Sequence, residues 1–412
     1  MKRSLRVSRV IGLAGLSAAS AGVCFAAPAG ATFTGVTNGN VAFAVASCSA
    51  SGQAIYSINP VGGPDTCPGG TPPNFTQSTA GGIDSMPYFS SVGTTLYFAS
   101  DRASSANNPG ADGNFAVYQV AYPPTVTGSP GSQSDGALQI TFPDPGATGS
   151  TNDYAPTVDQ NGNELAFIRC ATTSGTTSCG LYVQTPIIGG TPTLVVTAVT
   201  PLQPNSTNGE ASRPEIDPGD PSQIIYVSTD NHIHLVSLTN SFPERDLSQE
   251  SGITSGQSDQ YPDWNPAGTR IIFDRNQFVY VLDPTTATAT ACELWGSADP
   301  GIEIEPIFAP TDTALSTPGN CNPAGNMYVW TKVGAGTNII LDMGHSVSSP
   351  ATLENLTANH LTNSQTAWQP IPLASQTPEA PYAAMFPFVG GFLLAGIFAL
   401  DQRRRRKRST IG

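Results

Sequence analysis

The chain has 412 residues, of which 11% are charged, and it contains 42 glycines and 36 prolines. Its formal net charge of −13 predicts an acidic surface, which repels nucleic acid and argues against a nucleic-acid-binding function. Length and composition together favour one large all-β domain over several small domains.

Residues 1–31 have the pattern of a secretion signal. Four basic residues lie within the first nine positions, an apolar stretch follows at Ile11–Phe25, and Ala29-Gly30-Ala31 is a small-x-small cleavage sequence. Cleavage after Ala26 is the alternative. The sequence therefore predicts an exported protein, with its main domain outside the cytoplasm.

A repeated pattern occupies most of the remaining chain. Each copy has a proline at the entry of a strand, a tight turn with Pro or Gly, and a second strand rich in β-branched and aromatic residues. The copies begin at Pro87, Pro156, Pro214, Pro262 and Pro306. A self-similar unit of about 40–50 residues with several short strands is the mark of a β-propeller blade. Longer spacings indicate loop insertions.

Each unit divides into four strands, A to D. In the clearest unit we expect them at Tyr261–Trp264, Arg270–Asp274, Phe278–Leu282 and Thr288–Leu294. Because strands alternate in direction, the D–A and B–C loops should share one face of the propeller, and the A–B and C–D loops the other.

The chain ends predict how the ring closes. The N-terminal part begins with a B-type strand at Val41–Ala46, whereas Thr366–Pro370 resembles a strand A that has no B after it. Joining the two ends gives a shared blade, so we expect a six-bladed propeller of four-stranded blades over residues 32–370. Closure of this kind removes exposed sheet edges.

The turn and strand sequences resemble the TolB-like β-propeller repeat family, whose repeats are WD-like. Phe98-Ala99-Ser100-Asp101-Arg102 and Tyr261–Phe273 carry the likeness, which extends over about residues 39–370. The resemblance implies a propeller that serves protein–protein contact. Similar blades also occur in enzymes, so the fold alone does not fix the function.

Six cysteines follow the predicted signal, which suits an oxidising compartment. Fifteen pairings are possible for six cysteines. The blade assignment favours three, which join cysteines of one hairpin or of neighbouring loops: Cys170 with Cys179, Cys48 with Cys67, and Cys292 with Cys321. Metal ligation is the less favoured interpretation because the sequence contains no Cys-x-x-Cys pair.

The C-terminal region reads as a linker at 371–381, a transmembrane helix at 382–400 and a basic cytoplasmic tail at 401–412. The 19 uncharged residues nearly span a bilayer core, and the run of basic residues at 403–408 would remain in the cytoplasm. The sequence predicts a membrane-anchored propeller outside the cell. Cell-wall attachment is the alternative, because the ending also resembles a sorting signal.

Acidic and basic residues recur at the predicted D–A/B–C face. Acids stand shortly before the strand-A prolines, and basic residues follow strand B. The set is Asp84, Asp153, Glu210, Asp259 and Glu303, with Arg102, Arg169 and Arg275. These residues either form a binding face for a ligand or cation, or cap backbone N–H groups and pair with arginine. The second interpretation is favoured, and the face remains the predicted binding face.

No catalytic motif stands out. His232 and His234 alternate on one strand and could form a metal pair, but without a third ligand a solvated or interblade role is favoured. Glu303 and Glu305 could act as paired carboxylates, although two acids on one strand usually form its polar face. Trp264 and Trp368 are expected to pack within blades.

The sequence thus predicts a non-catalytic protein-binding module, with an unidentified protein partner in the envelope or the extracellular space. The alternative is a propeller enzyme or carbohydrate-binding lectin that uses the acidic channel mouth. No cofactor is expected in the first case, and a divalent cation such as calcium would belong to the second.

Overall fold

The computed structural model describes residues 36–49, 52–58, 76, 82–102, 114–123, 136–143, 150–199, 213–239, 243–284, 291–294, 302–310, 326–333, 337–345, 352–355 and 363–372. These residues form an all-β propeller with five four-stranded blades. Within each blade, consecutive strands pair antiparallel.

The blades follow one another along the chain. Blade 1 contains β3 (Asp84–Phe89), β4 (Thr95–Ser100), β5 (Ala116–Ala121) and β6 (Leu138–Gln139). Blade 2 contains β7 (Ser150–Val158), β8 (Leu165–Thr173), β9 (Thr176–Gln184) and β10 (Thr193–Val199). Blade 3 contains β11 (Glu215–Ile216), β12 (Gln223–Val227), β13 (Ile233–Ser237) and β14 (Glu244–Asp246), followed by the short helix α1 (Leu247–Glu250).

The last two blades have the same construction. Blade 4 contains β15 (Asp259–Trp264), β16 (Ile271–Arg275), β17 (Phe278–Leu282) and β18 (Ala291–Glu293). Blade 5 contains β19 (Ile302–Phe308), β20 (Asn326–Val333), β21 (Thr337–His345) and β22 (Thr352–Asn355).

A three-stranded closing sheet joins the two ends of the chain. It contains β1 (Val36–Ser49), β2 (Gly52–Ile58) and the C-terminal strand β23 (Asn363–Pro372), in the order β2-β1-β23. The strand β23 also contacts the first strands of blades 1 and 5, and the first strands of successive blades contact one another. The first strands therefore surround a central channel, with β23 completing the ring.

The predicted architecture of six four-stranded blades is wrong. In the described part of the chain five sheets have four strands, and the sheet shared by the chain ends has three. Of residues 59–81, the structure describes Thr76, whose hydroxyl accepts a hydrogen bond from Ile55 N. The prediction assumed that each unit would supply the same four strands, whereas the described residues of the closing sheet form three.

No helix in the described part of the chain is both long and apolar enough to cross a membrane. The predicted signal at 1–31, the membrane helix at 382–400 and the tail at 401–412 lie outside that part. Of the linker predicted at 371–381, residues 371 and 372 belong to β23 and the rest lies outside the described part.

The core lies between successive sheets and is built mainly from the second and third strands. These strands are rich in β-branched and aromatic residues, which fit a pleated sheet buried on both faces. Cross-strand aromatic pairs recur at one register position: Phe43–Tyr56, Phe98–Tyr118, Phe167–Tyr182, Tyr226–His234 and Phe273–Tyr280. Trp264 and Trp368 are 5% and 6% exposed and join hydrophobic clusters, which confirms their predicted packing role.

A bulge interrupts the first strand in four blades just before the repeat proline. The residue before the proline has a positive φ of 50–56° and the pairing register shifts there; these residues are Met86, Ala155, Tyr261 and Glu305. Bulges re-aim neighbouring side chains, and a positive φ is unusual for residues with a side chain. The bulge therefore breaks simple inward–outward alternation at the strands that line the channel.

The disulfide predicted within one hairpin is confirmed. Cys170 and Cys179 are cross-strand partners in β8 and β9, and they form a disulfide with a Cα–Cα distance of 4.1 Å. Cys292 is also disulfide-bonded. The side chain of Cys48, and residues Cys67 and Cys321, lie outside the described part, so two of the predicted pairings stay predictions.

Candidate binding site in the central channel

The acidic residues predicted for the D–A/B–C face are buried at the start of the first strands. Asp84, Asp153 and Asp259 are each 0% exposed. Each forms an ion pair with an arginine that lies in the second strand of the same blade or two residues after it: Arg102 at 3.0 Å, Arg169 at 2.6 Å and Arg275 at 2.6 Å. The structure thus brings these six predicted residues together as three pairs.

Each arginine also lies over the aromatic pair of its own blade. The guanidinium carbon is 5.0–5.4 Å from the ring centroids of Phe98 and Tyr118, of Phe167 and Tyr182, or of Phe273 and Tyr280. Cation–π contact and the carboxylate together compensate the buried charge. In the three blades concerned, this Asp–Arg–aromatic unit holds the first strand to the second and third.

The remaining members of the predicted face are less fully described. Glu210 lies outside the described residues, and Glu303 lies in β19 opposite Lys332, with its side chain outside the description. Glu305 departs from the expected polar strand face, because it occupies the bulge of β19 and is 3% exposed.

The opposite end of the channel contains a set of residues that sequence reasoning did not select. The position after each repeat proline is occupied by Tyr88, Thr157, Glu215, Asp263 and Ile307 in blades 1 to 5. Tyr88, Glu215 and Asp263 line a cavity of about 90 Å³ at the A–B mouth, together with Trp264, Phe308 and Pro370. All five blades and β23 contribute to its walls. We call it the A–B mouth cavity.

One arginine crosses the channel beneath this cavity. Arg213 is 8% exposed, and its Nε lies 3.2 Å from Glu215 Oε1. Its Nη1 donates a hydrogen bond of 3.1 Å to the carbonyl oxygen of Thr366 in β23, and its guanidinium lies 5.2 Å from the ring centroid of Tyr88. Arg213 therefore links blade 3 to the closing strand and to blade 1.

The carboxylates near Arg213 outnumber it. Glu215 Oε2 accepts a hydrogen bond of 3.2 Å from the Thr157 hydroxyl, and Asp263 Oδ2 accepts one of 2.9 Å from Phe308 N. Glu305 lines the same channel, next to Arg213 and Asp263. Glu215 and Asp263 thus share one guanidinium, and Glu305 is a third buried acid in the described part of this channel.

Burial raises the pKa of both Glu215 and Asp263. Arg213 opposes this increase in each case, whereas the charge of Asp263 further raises the pKa of Glu215. Burial, followed by the charge of Glu215, also raises the pKa of Tyr88 well above its usual value. The site therefore retains protons that exposed carboxyl groups would lose, and a cation entering it would replace them.

A visible sequence signal existed for this site. The residue after each repeat proline varies freely between aromatic, hydroxyl, acidic and aliphatic types, whereas its neighbours keep the packing pattern. Variation at one position of an otherwise regular repeat is expected where the scaffold leaves the side chain facing a cavity rather than the core. The acids at the D–A/B–C face recur at more regular positions of the repeat, because each of the three that are paired holds strands of its own blade together.

Comparisons with known proteins identify no family for this chain and find distant structural similarity to several proteins. No family model matches the chain, and no curated protein matches it. A nidogen/laminin complex has a TM-score of 0.47 at 10% identity, covering 80% of this chain and 98% of the other. A TolB structure from Agrobacterium tumefaciens has a TM-score of 0.39 at 12% identity, covering 78% of this chain and 88% of the other.

An enzyme is also among the similar structures. A prolyl endopeptidase has a TM-score of 0.40 at 12% identity, covering 79% of this chain and 41% of the other. The strand topology of the structure itself supports the predicted likeness to TolB-like repeats as far as the β-propeller fold. Because one fold can carry unrelated functions, the function of this chain depends on its site.

Proposed function

We propose that this chain is a non-catalytic protein-binding propeller that receives a basic side chain of its partner in the A–B mouth cavity. The observation that carries this proposal is that two buried carboxyl groups of the cavity, Glu215 and Asp263, interact with the same guanidinium, that of Arg213. A lysine or arginine side chain of the partner would supply a second positive charge.

The size and walls of the cavity favour one side chain over a whole small molecule. Pockets for drug-sized ligands have volumes of about 300–1,000 Å³, and this cavity has about 90 Å³. Its rim carries Trp264, Phe308 and Pro370, which can pack against the aliphatic stem of a lysine or arginine while the carboxylates meet the charged end. An extended loop of a protein partner can present such a side chain.

The place of action is also a proposal. The Cys170–Cys179 disulfide supports a location outside the cytoplasm, because disulfides persist in oxidising compartments. The signal-like pattern of residues 1–31 supports the same location. Mass spectrometry of the exported protein, which determines its N-terminal residue and the state of its thiols, tests both points.

The binding proposal can be tested with two capped pentapeptides that differ at the central position, which is lysine in one and norleucine in the other. Isothermal titration of the purified full chain should show saturable binding of the lysine peptide and at least tenfold weaker binding of the norleucine peptide. Glu215→Gln and Asp263→Asn should each weaken lysine-peptide binding, whereas Glu293→Gln, which removes an exposed carboxylate in β18, should not.

Equal binding of the two peptides, or binding that is insensitive to both channel variants, would contradict the proposal. Saturable binding of a neutral oligosaccharide at the same cavity would instead favour the carbohydrate-binding alternative.

A further inference from the structure

Blade 3 differs from blades 1, 2 and 4 at the position of the Asp–Arg–aromatic unit. The aromatic pair is Tyr226–His234, and Ser228 stands where blades 2 and 4 have Arg169 and Arg275. A different polar group occupies this end of the blade. It consists of Asp230, His232, His234 and Asp246, whose ligand-capable atoms all lie within 4.8 Å of one another. We call it the blade-3 cluster.

Three structural elements bring the blade-3 cluster together. Asp230 and His232 lie in the loop between β12 and β13, His234 lies in β13, and Asp246 ends β14, where it pairs in register with His234. The sequence pattern placed the two histidines on one side of a strand. It could not supply the carboxylates, because one arrives through a loop and the other through the pairing of a strand that begins ten residues later.

Both carboxylates are oriented by the backbone. Asp230 Oδ1 accepts a hydrogen bond of 3.0 Å from His232 N, and Asp246 Oδ1 accepts one of 2.8 Å from Gln249 N as the N-cap of α1. In each residue the other oxygen, Oδ2, faces the histidines. Asp230 Oδ2 lies 3.2 Å from His234 Nε2, and Asp246 Oδ2 lies 2.8 Å from His232 Nδ1.

One histidine also has a carboxylate beside its second ring nitrogen. His234 Nδ1 lies 2.5 Å from Glu244 Oε1, and the Tyr226 hydroxyl donates a hydrogen bond to the same oxygen. A carboxylate at the second ring nitrogen fixes the tautomer and strengthens the first nitrogen as a ligand. Glu244 lies close to Nδ1 without the alignment of a hydrogen bond, and the Nε2 atom of His234 faces the cluster, 3.2 Å from Asp230 Oδ2.

The spacing suits a small tetrahedral ion. Zinc binds nitrogen and oxygen at about 2.0–2.2 Å, so neighbouring ligand atoms in a tetrahedral site lie about 3.4 Å apart. The separations of 2.8 and 3.2 Å given above, and that of 3.8 Å between His232 Nδ1 and Asp230 Oδ2, lie on either side of this value. Small side-chain movements would place all four atoms around one ion.

We propose that the blade-3 cluster is a binding site for a divalent transition-metal ion, with zinc as the best-fitting ion. Two imidazoles and two carboxylates match the ligand preference of zinc, whereas calcium takes six to eight oxygen ligands. The Asp230 side chain is 47% exposed, so an ion can enter from solvent. The site is separate from the A–B mouth cavity, and the proposal does not depend on the proposed function.

A bound ion would fix the joint between blades 3 and 4. Ser248, in the helix that Asp246 caps, donates a hydrogen bond of 2.7 Å to Asp259 Oδ2 and accepts one from Ile233 N. Asn231, in the loop that carries Asp230 and His232, accepts a hydrogen bond from Asp259 N through its carbonyl oxygen. The ion would therefore hold the loop, β14 and α1 in place against the first strand of blade 4.

Titration of the chelator-treated full chain with zinc chloride provides the test. We expect saturable binding of one ion by this site, measured by calorimetry and elemental analysis, and a higher unfolding midpoint in the presence of zinc. His232→Gln and Asp230→Asn should each weaken zinc binding about 10–100-fold, while Glu293→Gln leaves it unchanged. Cobalt in place of zinc should give the visible absorption of a tetrahedral site.

Several results would overturn the proposal. They are the absence of saturable zinc binding, zinc binding that both cluster variants retain, and calcium binding without zinc binding. Circular dichroism of His232→Gln and Asp230→Asn in the absence of metal separates loss of ligands from loss of folding, since both side chains lie at the surface end of the blade.

Discussion

The two ends of the channel hold carboxylates whose charges are balanced in different ways. At the D–A/B–C end, Asp84, Asp153 and Asp259 each have an arginine of their own. At the A–B end, Glu215 and Asp263 share Arg213. A buried carboxylate that has its own arginine holds the strands of its blade together. Buried carboxylates that share one arginine remain in an unfavourable electrostatic environment, which a cationic ligand would improve. Burial alone therefore does not distinguish the two ends of the channel, and the ratio of acidic to basic groups does.

Breaking a one-to-one pair should have the largest effect. Arg275→Met leaves Asp259 buried without its main partner, and loss of one member of a buried ion pair costs about 3–5 kcal/mol. Urea unfolding should show this loss of stability. The double variant Arg275→Met with Asp259→Asn should recover part of it, because no unpaired charge remains.

A change in the unfolding free energy of less than about 0.5 kcal/mol for Arg275→Met, which is typical of surface sites, would show that the pair is not part of the scaffold. Arg245→Met is the matched control, since Arg245 pairs with Glu250 at a more exposed position.

Neutralising an acid should have opposite effects at the two ends of the channel. Because burial raises the pKa of Glu215, the folded state holds a proton that the unfolded state releases once the pH exceeds the ordinary value of 4.5. Stability contributed by this group is thus fully present below that pH and decreases as the pH rises through the folded-state pKa. The Glu215→Gln variant should not show this loss of stability at high pH, because glutamine does not ionise.

We therefore expect Glu215→Gln to be more stable than the parent chain at pH 8 by about 1–2 kcal/mol, since one pKa unit corresponds to about 1.4 kcal/mol. The difference should shrink towards pH 4.5. Asp259→Asn should be less stable than the parent at pH 8. Unfolding curves at several pH values compare the two variants directly. If both variants changed the unfolding free energy in the same direction, the two ends of the channel would not differ in this respect.

The smallest effect should come from removing an aromatic ring that lies over one of the buried arginines. Tyr182→Leu removes one of the two rings over Arg169, so we expect a loss of about 1 kcal/mol, which is the usual size of a cation–π contact. Tyr182→Phe keeps the ring and should stay within about 0.5 kcal/mol of the parent. Thermal unfolding distinguishes the two variants, and equal losses would assign the effect to the hydroxyl instead.

Regular features of the repeat were predictable from the sequence. The strand-entry prolines, the strands around Tyr261–Phe273 and the pairing of the N-terminal strand with Thr366–Pro370 were all found because each follows from local propensity and period. The Cys170–Cys179 bond followed from hairpin register. The resemblance to TolB-like repeats added the propeller expectation, and the structure supports it at that general level.

Irregular features were not predictable in the same way. The bulge at Glu305 changes which face a side chain occupies, so alternation gave the wrong environment for it. Arg213 reaches Thr366 across more than 150 positions of sequence, a contact that only ring closure creates. The number of strands in the closing sheet depended on segments whose sequence has no repeat pattern. In each case the missing information was long-range geometry.

Gly93 shows how tightly the closing strand is held. It has a φ of 65°, and a Cβ atom at this residue would lie 2.0 Å from the carbonyl oxygen of Pro370. Its own carbonyl accepts a hydrogen bond of 2.8 Å from Gln369 Nε2. The turn of the first blade thus holds the last strand of the ring in place through close packing and a hydrogen bond. Because that strand is among the last parts of the propeller to leave the ribosome, the ring can be completed only after all five blades have been made.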